Sequence, residues 1–140
     1  MNRKRRTEIL IKGSTSIAKG LAEEIQNKYD VKVIEEPNYG LIMVKMREGA
    51  KKSLFYLGEV LVTETKVQIN GKLGIGIVKG NNPDLSLYLA IIDAAYNLEL
   101  KETKAFKDIL LKEEEKINNE NKKYKSKILK SKVNFDTMDV

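Results

Sequence analysis

The chain has 140 residues, of which 41% are hydrophobic, enough for one domain with a modest core. Its 26 lysines and arginines outnumber its 20 aspartates and glutamates, and the formal net charge of +6 predicts anionic partners or substrates. The chain has no cysteine, histidine or tryptophan. It therefore cannot build a disulfide, an iron–sulfur cluster, a thiolate zinc site, or a Ser-His-Asp or Cys-His catalytic arrangement, and we expect no metal site.

The apolar run nearest the N-terminus, Ile9-Leu10-Ile11, is too short for a signal peptide. No segment approaches the length of a membrane span. We therefore expect a cytoplasmic protein with no membrane partner.

Two helices are predicted at the N-terminus. The segment "TEILIK", residues 7–12, is short and ends at Gly13, and Ser14 is a suitable N-cap for a second helix. That second helix is amphipathic, because apolar residues recur every four positions at Ile17, Leu21, Ile25 and Tyr29.

The middle of the chain predicts an antiparallel sheet of about four strands. The segment "VKVIEEPNYG" changes the period and "GLIMVKMR" alternates in hydrophobicity, which predicts two strands joined through Pro37-Asn38-Tyr39-Gly40. A longer strand follows from Leu54 to Ile69. The dipeptide Asn70-Gly71 then predicts a type I′ hairpin into the last strand, "LGIGIV".

The long strand contains two carboxylates. Glu64 is in phase with Lys66, which indicates a solvent-facing position. Glu59 is in phase with Leu57 and Leu61 and follows Gly58, a residue type that inside a strand often marks a bulge or a close backbone approach. A carboxylate at an apolar position needs a partner, so pairing with a cation of this chain or another is favoured over a catalytic role.

The last strand and the turn after it contain Gly74, Gly76 and Gly80. The first two share a face, which indicates either close packing of a helix or neighbouring strand or a backbone approach for a ligand or partner, and Gly80 is a further candidate for such an approach. The spacing fits neither a dinucleotide fingerprint nor a Walker A loop. Asp84 at the start of the next helix is either its cap or part of an anion site.

The segment "LSLYLAIIDAAYN" predicts an apolar helix packed on the sheet. Asp93 interrupts it between Ile92 and Ala94. As for Glu59, the two interpretations are a structural ion pair, which is favoured, and a functional site residue.

Composition changes after Leu100. Residues 1–100 are predicted to form an α+β core domain, and residues 101–140 a long charged helix with an extended C-terminal tail, "VNFDTMDV". The helix has a thin apolar seam at Phe106, Leu110, Ile117, Tyr124 and Ile128. We expect this part to dock on a partner, the alternatives being a solvated helix and a frayed tail.

With these segments in order, the chain resembles the PhnG family, a small subunit of the bacterial carbon–phosphorus lyase. The resemblance rests on "RKRRTEILIKG", "FYLGEVLVTE", "GKLGIGIVKG" leading into "LAIIDAAYN", and the ending "VNFDTM". In one departure, Asn81 and Asn82 follow Gly80 where the family often has acidic residues, so this turn lacks the negative charge of that pattern.

The resemblance implies a role in phosphonate catabolism. Acting with subunits of the PhnH, PhnI, PhnJ and PhnL type, such a subunit takes part in displacing adenine from the ribose C1′ of ATP by an alkylphosphonate. ATP and the alkylphosphonate are then substrates of the complex, and this chain holds no cofactor. Glu59 and Asp93 lie in stretches that carry the resemblance and are the candidate site residues.

Two other functions remain open. A basic nucleic-acid-binding module would use the cluster from Arg3 to Arg6 and the lysine-rich end, but the strands lack the aromatic pattern of an RNA-binding sheet, so we expect no nucleic-acid partner. A purely structural adaptor would hold a catalytic partner together.

Overall fold

The computed structural model describes the backbone of residues 1–47 and 54–138 and the side chains of residues 1–43 and 58–130. Within these residues, two helices precede a three-stranded antiparallel sheet of order β1-β2-β3, and two more helices follow it. The bounds are α1 Arg3–Lys12, α2 Thr15–Lys28, β1 Val31–Arg47, β2 Leu54–Ile69, β3 Lys72–Lys79, α3 Pro83–Asn97 and α4 Glu102–Met138. The α+β class is confirmed.

The prediction of about four strands is corrected to three, because β1 runs without a break through Pro37 and Gly40. The register with β2 shifts on both sides of Glu35, so the extra residues form bulges in an edge strand, where a missing N–H is tolerated. The side-chain amide of Asn38 donates to the backbone oxygen of Glu64 at 3.2 Å. This bond ties the irregular part of β1 to β2.

The hairpin between β2 and β3 is confirmed. Asn70 and Gly71 have φ angles of 47° and 84°, both positive as a type I′ turn requires. The predicted bulge next to Gly58 is also present, because the pairing with β1 skips one residue of β2 between Gly58 and Tyr56.

The helix ends follow local signals. α1 ends at Lys12 with Gly13 as its C-cap, as predicted, but it begins at Arg3, four residues before the predicted start. Ser14 caps α2 as predicted, accepting a hydrogen bond from the N–H of Ser16 at 3.3 Å. α3 is capped by Asn82 and not by Asp84, since the Asn82 side chain accepts from the N–H of Leu85 at 3.3 Å. Asp84 lies instead in the first turn, where a carboxylate interacts favourably with the helix dipole.

The core lies between one face of the sheet and the helices, with α3 at its centre. On the side of the sheet that faces the helices, β2 contributes the buried residues Thr63, Thr65, Val67 and Ile69. On β3 the same face carries Gly74 and Gly76. A Cβ at Gly74 would lie 2.2 Å from the backbone oxygen of Ala90, and one at Gly76 would lie 2.0 Å from that of Ser86. The two glycines thus let α3 lie directly against the strand.

α4 begins in the core and then leaves it. Phe106 and Leu110 are fully buried in the main hydrophobic cluster, so the core extends past the boundary predicted at residue 100. Every side chain from Asn118 to Lys130 is exposed. Because α4 contains no glycine or proline to end it, the helix continues to Met138, and the ending predicted to be extended is helical to that point. Residues 139 and 140 lie outside the described part.

Candidate functional site

Asp93 is 5% exposed in the middle of α3, facing α1 and the outer edge of β3. Its Oδ1 accepts a hydrogen bond from Nη2 of Arg6 at 3.0 Å and lies 3.1 Å from Nε of Arg3. Its Oδ2 accepts from Nη2 of Arg3 at 3.1 Å and from the backbone N–H of Ile75 at 3.0 Å. We call these four residues the Asp93 cluster.

The local sequence places the two arginines together. Arg3 and Arg6 are three residues apart in α1, so both side chains leave the same face of the helix. The helix is anchored in the core by Ile9 and Leu10, each 3% exposed. The charge of Asp93 is tolerated at its buried position because two guanidinium groups and a backbone N–H surround it.

Arg6 is buried with Asp93 and contacts an aromatic ring. It is 6% exposed, and its guanidinium carbon lies 4.1 Å from the centroid of the Tyr96 ring, a cation–π contact. Burial lowers the pKa of Arg6 and the charge of Asp93 opposes that shift, but an arginine stays protonated at neutral pH. Burial also raises the pKa of Tyr96, whose hydroxyl makes no hydrogen bond within the described part of the chain.

These contacts limit the chemistry of Asp93. Both carboxylate oxygens are engaged by donors of the same chain, whereas a general base or nucleophile needs an oxygen that faces its substrate. The cluster instead joins three elements, since Asp93 links α3 both to α1 and to β3. Its geometry is that of a structural ion pair within the sheet–helix core.

A pocket of about 130 Å³ adjoins the cluster, lined by Arg3, Arg6, Thr7 and Ile77 among others. Sites for small organic molecules are typically about 300 to 1,000 Å³. The pocket is therefore large enough for a small anion and too small for a nucleotide. Within the described residues, no three acidic side chains stand close enough together to hold a metal ion.

Glu59 lies far from this cluster. Its side chain is exposed, so the expectation of an enclosed position within the chain is corrected, while a contact across a subunit boundary stays a prediction. In β2, Glu59 pairs with Met43, whereas Lys66 pairs with Ile75 of the cluster. Lys66 therefore marks the position of the Asp93 cluster along β2. Glu59 lies seven residues from Lys66, and at roughly 3.3 Å per residue this is about 23 Å. The structure therefore does not bring Glu59 and Asp93 into one site.

Glu64, in contrast, is on the face of the sheet opposite the helices, as predicted. Its Oε1 lies 3.6 Å from Nζ of Lys66, and Glu35 of β1 approaches the same lysine at 3.3 Å. These partly exposed contacts form a cross-strand charge network and do not point to a site.

The glycines of β3 have a structural explanation. The close backbone approach at Gly74 and Gly76 is made by α3, which leaves no room for a ligand on that face. Gly80 has a φ of 83°, and its N–H donates to the backbone oxygen of Leu61 at 2.7 Å. It ends the strand in a turn that a residue with a side chain rarely adopts.

The comparison with known protein families decides the assignment. The model of the family described as "Phosphonate metabolism protein PhnG" matches residues 1–139, practically the whole chain. The chain belongs to the PhnG family. The resemblance found in the sequence is thereby confirmed, and with it a role in phosphonate metabolism. A search of curated proteins finds no match. In the part of the chain that the structure describes, no helix is long and apolar enough to cross a membrane.

The stretches that link the chain to the PhnG family meet at the Asp93 cluster. "RKRRTEILIKG" supplies both arginines, "GKLGIGIVKG" supplies Ile75, and "LAIIDAAYN" supplies Asp93. The cluster therefore joins two of the four stretches, the N-terminal one and the one that runs from "GKLGIGIVKG" into "LAIIDAAYN".

The two asparagines that follow Gly80 have structural partners. Asn82 caps α3, and the Oδ1 of Asn81 accepts a hydrogen bond from the hydroxyl of Tyr39 at 2.7 Å. Both asparagines thus make structural hydrogen bonds through their side-chain oxygens.

A second buried carboxylate of this PhnG chain, Glu102, was not identified from the sequence. It is 5% exposed at the start of α4, its Oε2 accepts from the hydroxyl of Tyr29 at 2.9 Å, and its Oε1 lies 3.7 Å from Nζ of Lys28. Burial alone would raise the pKa of Glu102, but hydrogen bonds from its own backbone and Tyr29 and the charge of Lys28 outweigh it, so the pKa is lowered. An acidic residue at the start of a helix is ordinarily explained by its favourable interaction with the helix dipole, so the sequence gives no sign that Glu102 is buried.

Proposed function

We propose that this chain is a subunit of the carbon–phosphorus lyase system, required with companion subunits to displace adenine from ATP by an alkylphosphonate. The products are adenine and a ribose 1-alkylphosphonate 5-triphosphate. The chain is an accessory part of this multi-subunit transferase and holds no cofactor. ATP and the alkylphosphonate are substrates of the assembly, which works in the cytoplasm, and companions of the PhnH, PhnI, PhnJ and PhnL type supply the reacting groups.

The chemistry of the chain supports an accessory role. Asp93, a carboxylate within the family-specific stretches, is committed to Arg3 and Arg6. The sequence has no histidine or cysteine to act as acid, base or nucleophile, and the pocket next to Asp93 is too small for ATP. An assembly that performs this displacement would therefore draw its reacting groups from other chains.

The proposal that this chain is a subunit of a larger assembly rests on an exposed apolar surface of the sheet. We call residues 39–43 of β1 and 58–61 of β2 the apolar ribbon, in which Glu59 is the one charged residue. Its exposed side chains include Tyr39 (57%), Leu41 (64%), Ile42 (45%), Met43 (56%) and Leu61 (43%). β3 pairs only with the later part of β2, from Val62 to Ile69, so in the described chain the ribbon is two strands wide. Two strands alone are marginally stable in water, and an apolar patch of this kind is typical of an interface.

The test is co-expression of a tagged chain with the companion subunits, followed by size-exclusion chromatography and an assay of adenine release from ATP plus methylphosphonate. We expect co-elution, and we expect the release to stop when this chain is omitted. Leu41→Ser should weaken assembly about tenfold, a loss of about 1.4 kcal/mol. The control is Leu73→Ser, which alters a 44% exposed leucine on β3, outside the ribbon, and should leave assembly unchanged. A chain that elutes alone, with adenine release unaffected by its omission, would refute the proposal.

A further inference from the structure

α4 carries one apolar stripe that starts in the core and ends in solvent. Its residues are spaced by four or seven positions and so share one face of the helix: Phe106, Leu110, Ile117, Tyr124 and Ile128. Phe106 and Leu110 are fully buried and Ile117 packs against the core. Tyr124 and Ile128 are 67% and 48% exposed. The face of α4 that packs against the core at Phe106 and Leu110 is therefore exposed to solvent at Tyr124 and Ile128.

The solvent-exposed part of α4, residues 118–130, which we call the distal helix, is strongly basic. It contains five lysines and one acidic residue, Glu120. At about 100° per residue, Lys125 and Lys127 leave the helix on opposite sides of the stripe formed by Tyr124 and Ile128. Positive charge thus borders the exposed apolar face on both sides.

We infer that the distal helix docks its Tyr124 and Ile128 face into an apolar groove of a companion subunit, and that carboxylates on the rim of this groove pair with Lys125 and Lys127. The identity of the partner as a companion subunit rests on the proposed function. An amphipathic helix in a groove is recognised by apolar anchors spaced three or four residues apart, as Tyr124 and Ile128 are. Charge complementarity then selects an acidic rim and fixes the register.

A protein groove accounts for these observations better than a nucleic acid or a lipid surface does. Phosphates would engage the lysines but would leave the apolar stripe without a role. A helix lying on a membrane needs a broad apolar face. The distal helix has only three apolar residues, Tyr124, Ile128 and Leu129, and the polar Asn121 lies on the stripe itself.

The inference can be tested by site-specific photo-crosslinking in the assembled complex of the full-length chain with its companion subunits. Ile128→p-benzoylphenylalanine places the probe on the stripe, and Ser126→p-benzoylphenylalanine places it on the opposite face as the control. We expect position 128 to crosslink to a segment of one companion that is rich in aspartate and glutamate, and position 126 to give no such product.

Affinity provides a second measurement. The double variant Tyr124→Ala/Ile128→Ala, which retains helix-forming residues, should weaken binding to the companion subassembly about tenfold or more. The matched double variant Asn119→Ala/Ser126→Ala alters the opposite face and should change the Kd less than about twofold.

The outcomes separate this inference from the proposed function. If the complex forms with the same affinity in both double variants, or if both probe positions crosslink equally, the inference is overturned while the proposed function stands. If the unaltered chain does not join the companions, the proposed function fails and the inference fails with it. If Lys125→Gln/Lys127→Gln leaves assembly intact but abolishes binding to duplex DNA or phosphatidylserine vesicles, the distal helix serves that anionic partner and the inference is wrong.

Discussion

Arg6 and Asp93 form a buried ion pair, with 3.0 Å between Nη2 and Oδ1 and side chains that are 7% and 6% exposed. The pair connects α1 to α3, and the bond from the N–H of Ile75 to Asp93 extends the connection to β3. Arg3 contacts the same carboxylate but is 63% exposed. Solvent therefore screens the attraction between Arg3 and Asp93 much more than the attraction between Arg6 and Asp93.

Removal of the carboxylate should be severely destabilising. Asp93→Ala leaves Arg6 buried without its counter-ion, and such a loss costs about 3 to 5 kcal/mol. Arg3→Ala removes only an exposed partner and should cost less than about 1 kcal/mol. Urea unfolding followed by circular dichroism measures both free energies. If the two variants are equally stable, the pair of Arg6 and Asp93 does not hold α1 in place.

The packing of α3 on β3 makes a second prediction. Gly76→Ala would place a methyl group 2.0 Å from the backbone oxygen of Ser86, and because both atoms belong to ordered main chain, the helix would have to move away. We expect a loss of about 3 kcal/mol in the free energy of unfolding.

Gly20→Ala is the matched control for this substitution. A Cβ at Gly20, inside α2, meets nothing within 4 Å, so alanine should stabilise the helix by about 1 kcal/mol. Thermal melts of the two variants should shift in opposite directions, and a neutral Gly76→Ala would contradict the close approach of α3.

The features that the sequence predicted correctly depend on a few neighbouring residues. Gly13 and Ser14 end one helix and begin another, and Asn70-Gly71 makes a turn, because each signal acts through its own backbone conformation and hydrogen bonds. The spacing of Gly74 and Gly76 likewise indicated a close backbone approach, although the sequence left open whether a helix or a ligand makes it.

The features that the sequence did not predict are set by residues far apart in the chain. Arg6 and Asp93 are 87 positions apart, and no local pattern in α1 indicates which carboxylate its arginines bind. Pro37 predicts a turn from the local sequence. The strand tolerates it because β1 is an edge strand whose register with β2 shifts, and this is a property of the whole sheet. The expectation that Glu59 is buried fails for a similar reason. The alternation of β2 does not show that β3 pairs only with Val62 to Ile69 and leaves Glu59 without a neighbouring strand on that side.

The cap of α3 provides a third prediction. Asn82→Ala removes the side chain that accepts from the N–H of Leu85 and should cost about 1 kcal/mol, whereas Asn82→Asp keeps a capping oxygen and should be nearly neutral. Asp84→Ala loses only a favourable interaction with the helix dipole, about 0.5 kcal/mol. Urea midpoints of the three variants decide the assignment, which would be wrong if Asp84→Ala were the most destabilising.

The last prediction concerns pH and Glu102. Since its pKa in the folded protein lies below the ordinary glutamate value of about 4.3, the unfolded chain takes up a proton at this residue first as the pH falls. The stabilising contribution of the ionised carboxylate is therefore fully present above the ordinary pKa and is lost as the pH falls through the folded-state pKa. Glu102→Gln removes this titration while keeping an oxygen that accepts from the hydroxyl of Tyr29.

We therefore expect the stability difference between the unaltered chain and Glu102→Gln to be constant from pH 7 to about pH 5 and to shrink below about pH 4. The control is Glu23→Gln, which alters a 54% exposed side chain on α2 that lies 4.0 Å from Lys19 and should change stability little at any pH. Unfolding free energies measured in urea at each pH provide the comparison. A difference that grows on acidification would mean that the pKa of Glu102 is raised in the folded protein, and that burial outweighs the hydrogen bond from Tyr29 and the charge of Lys28.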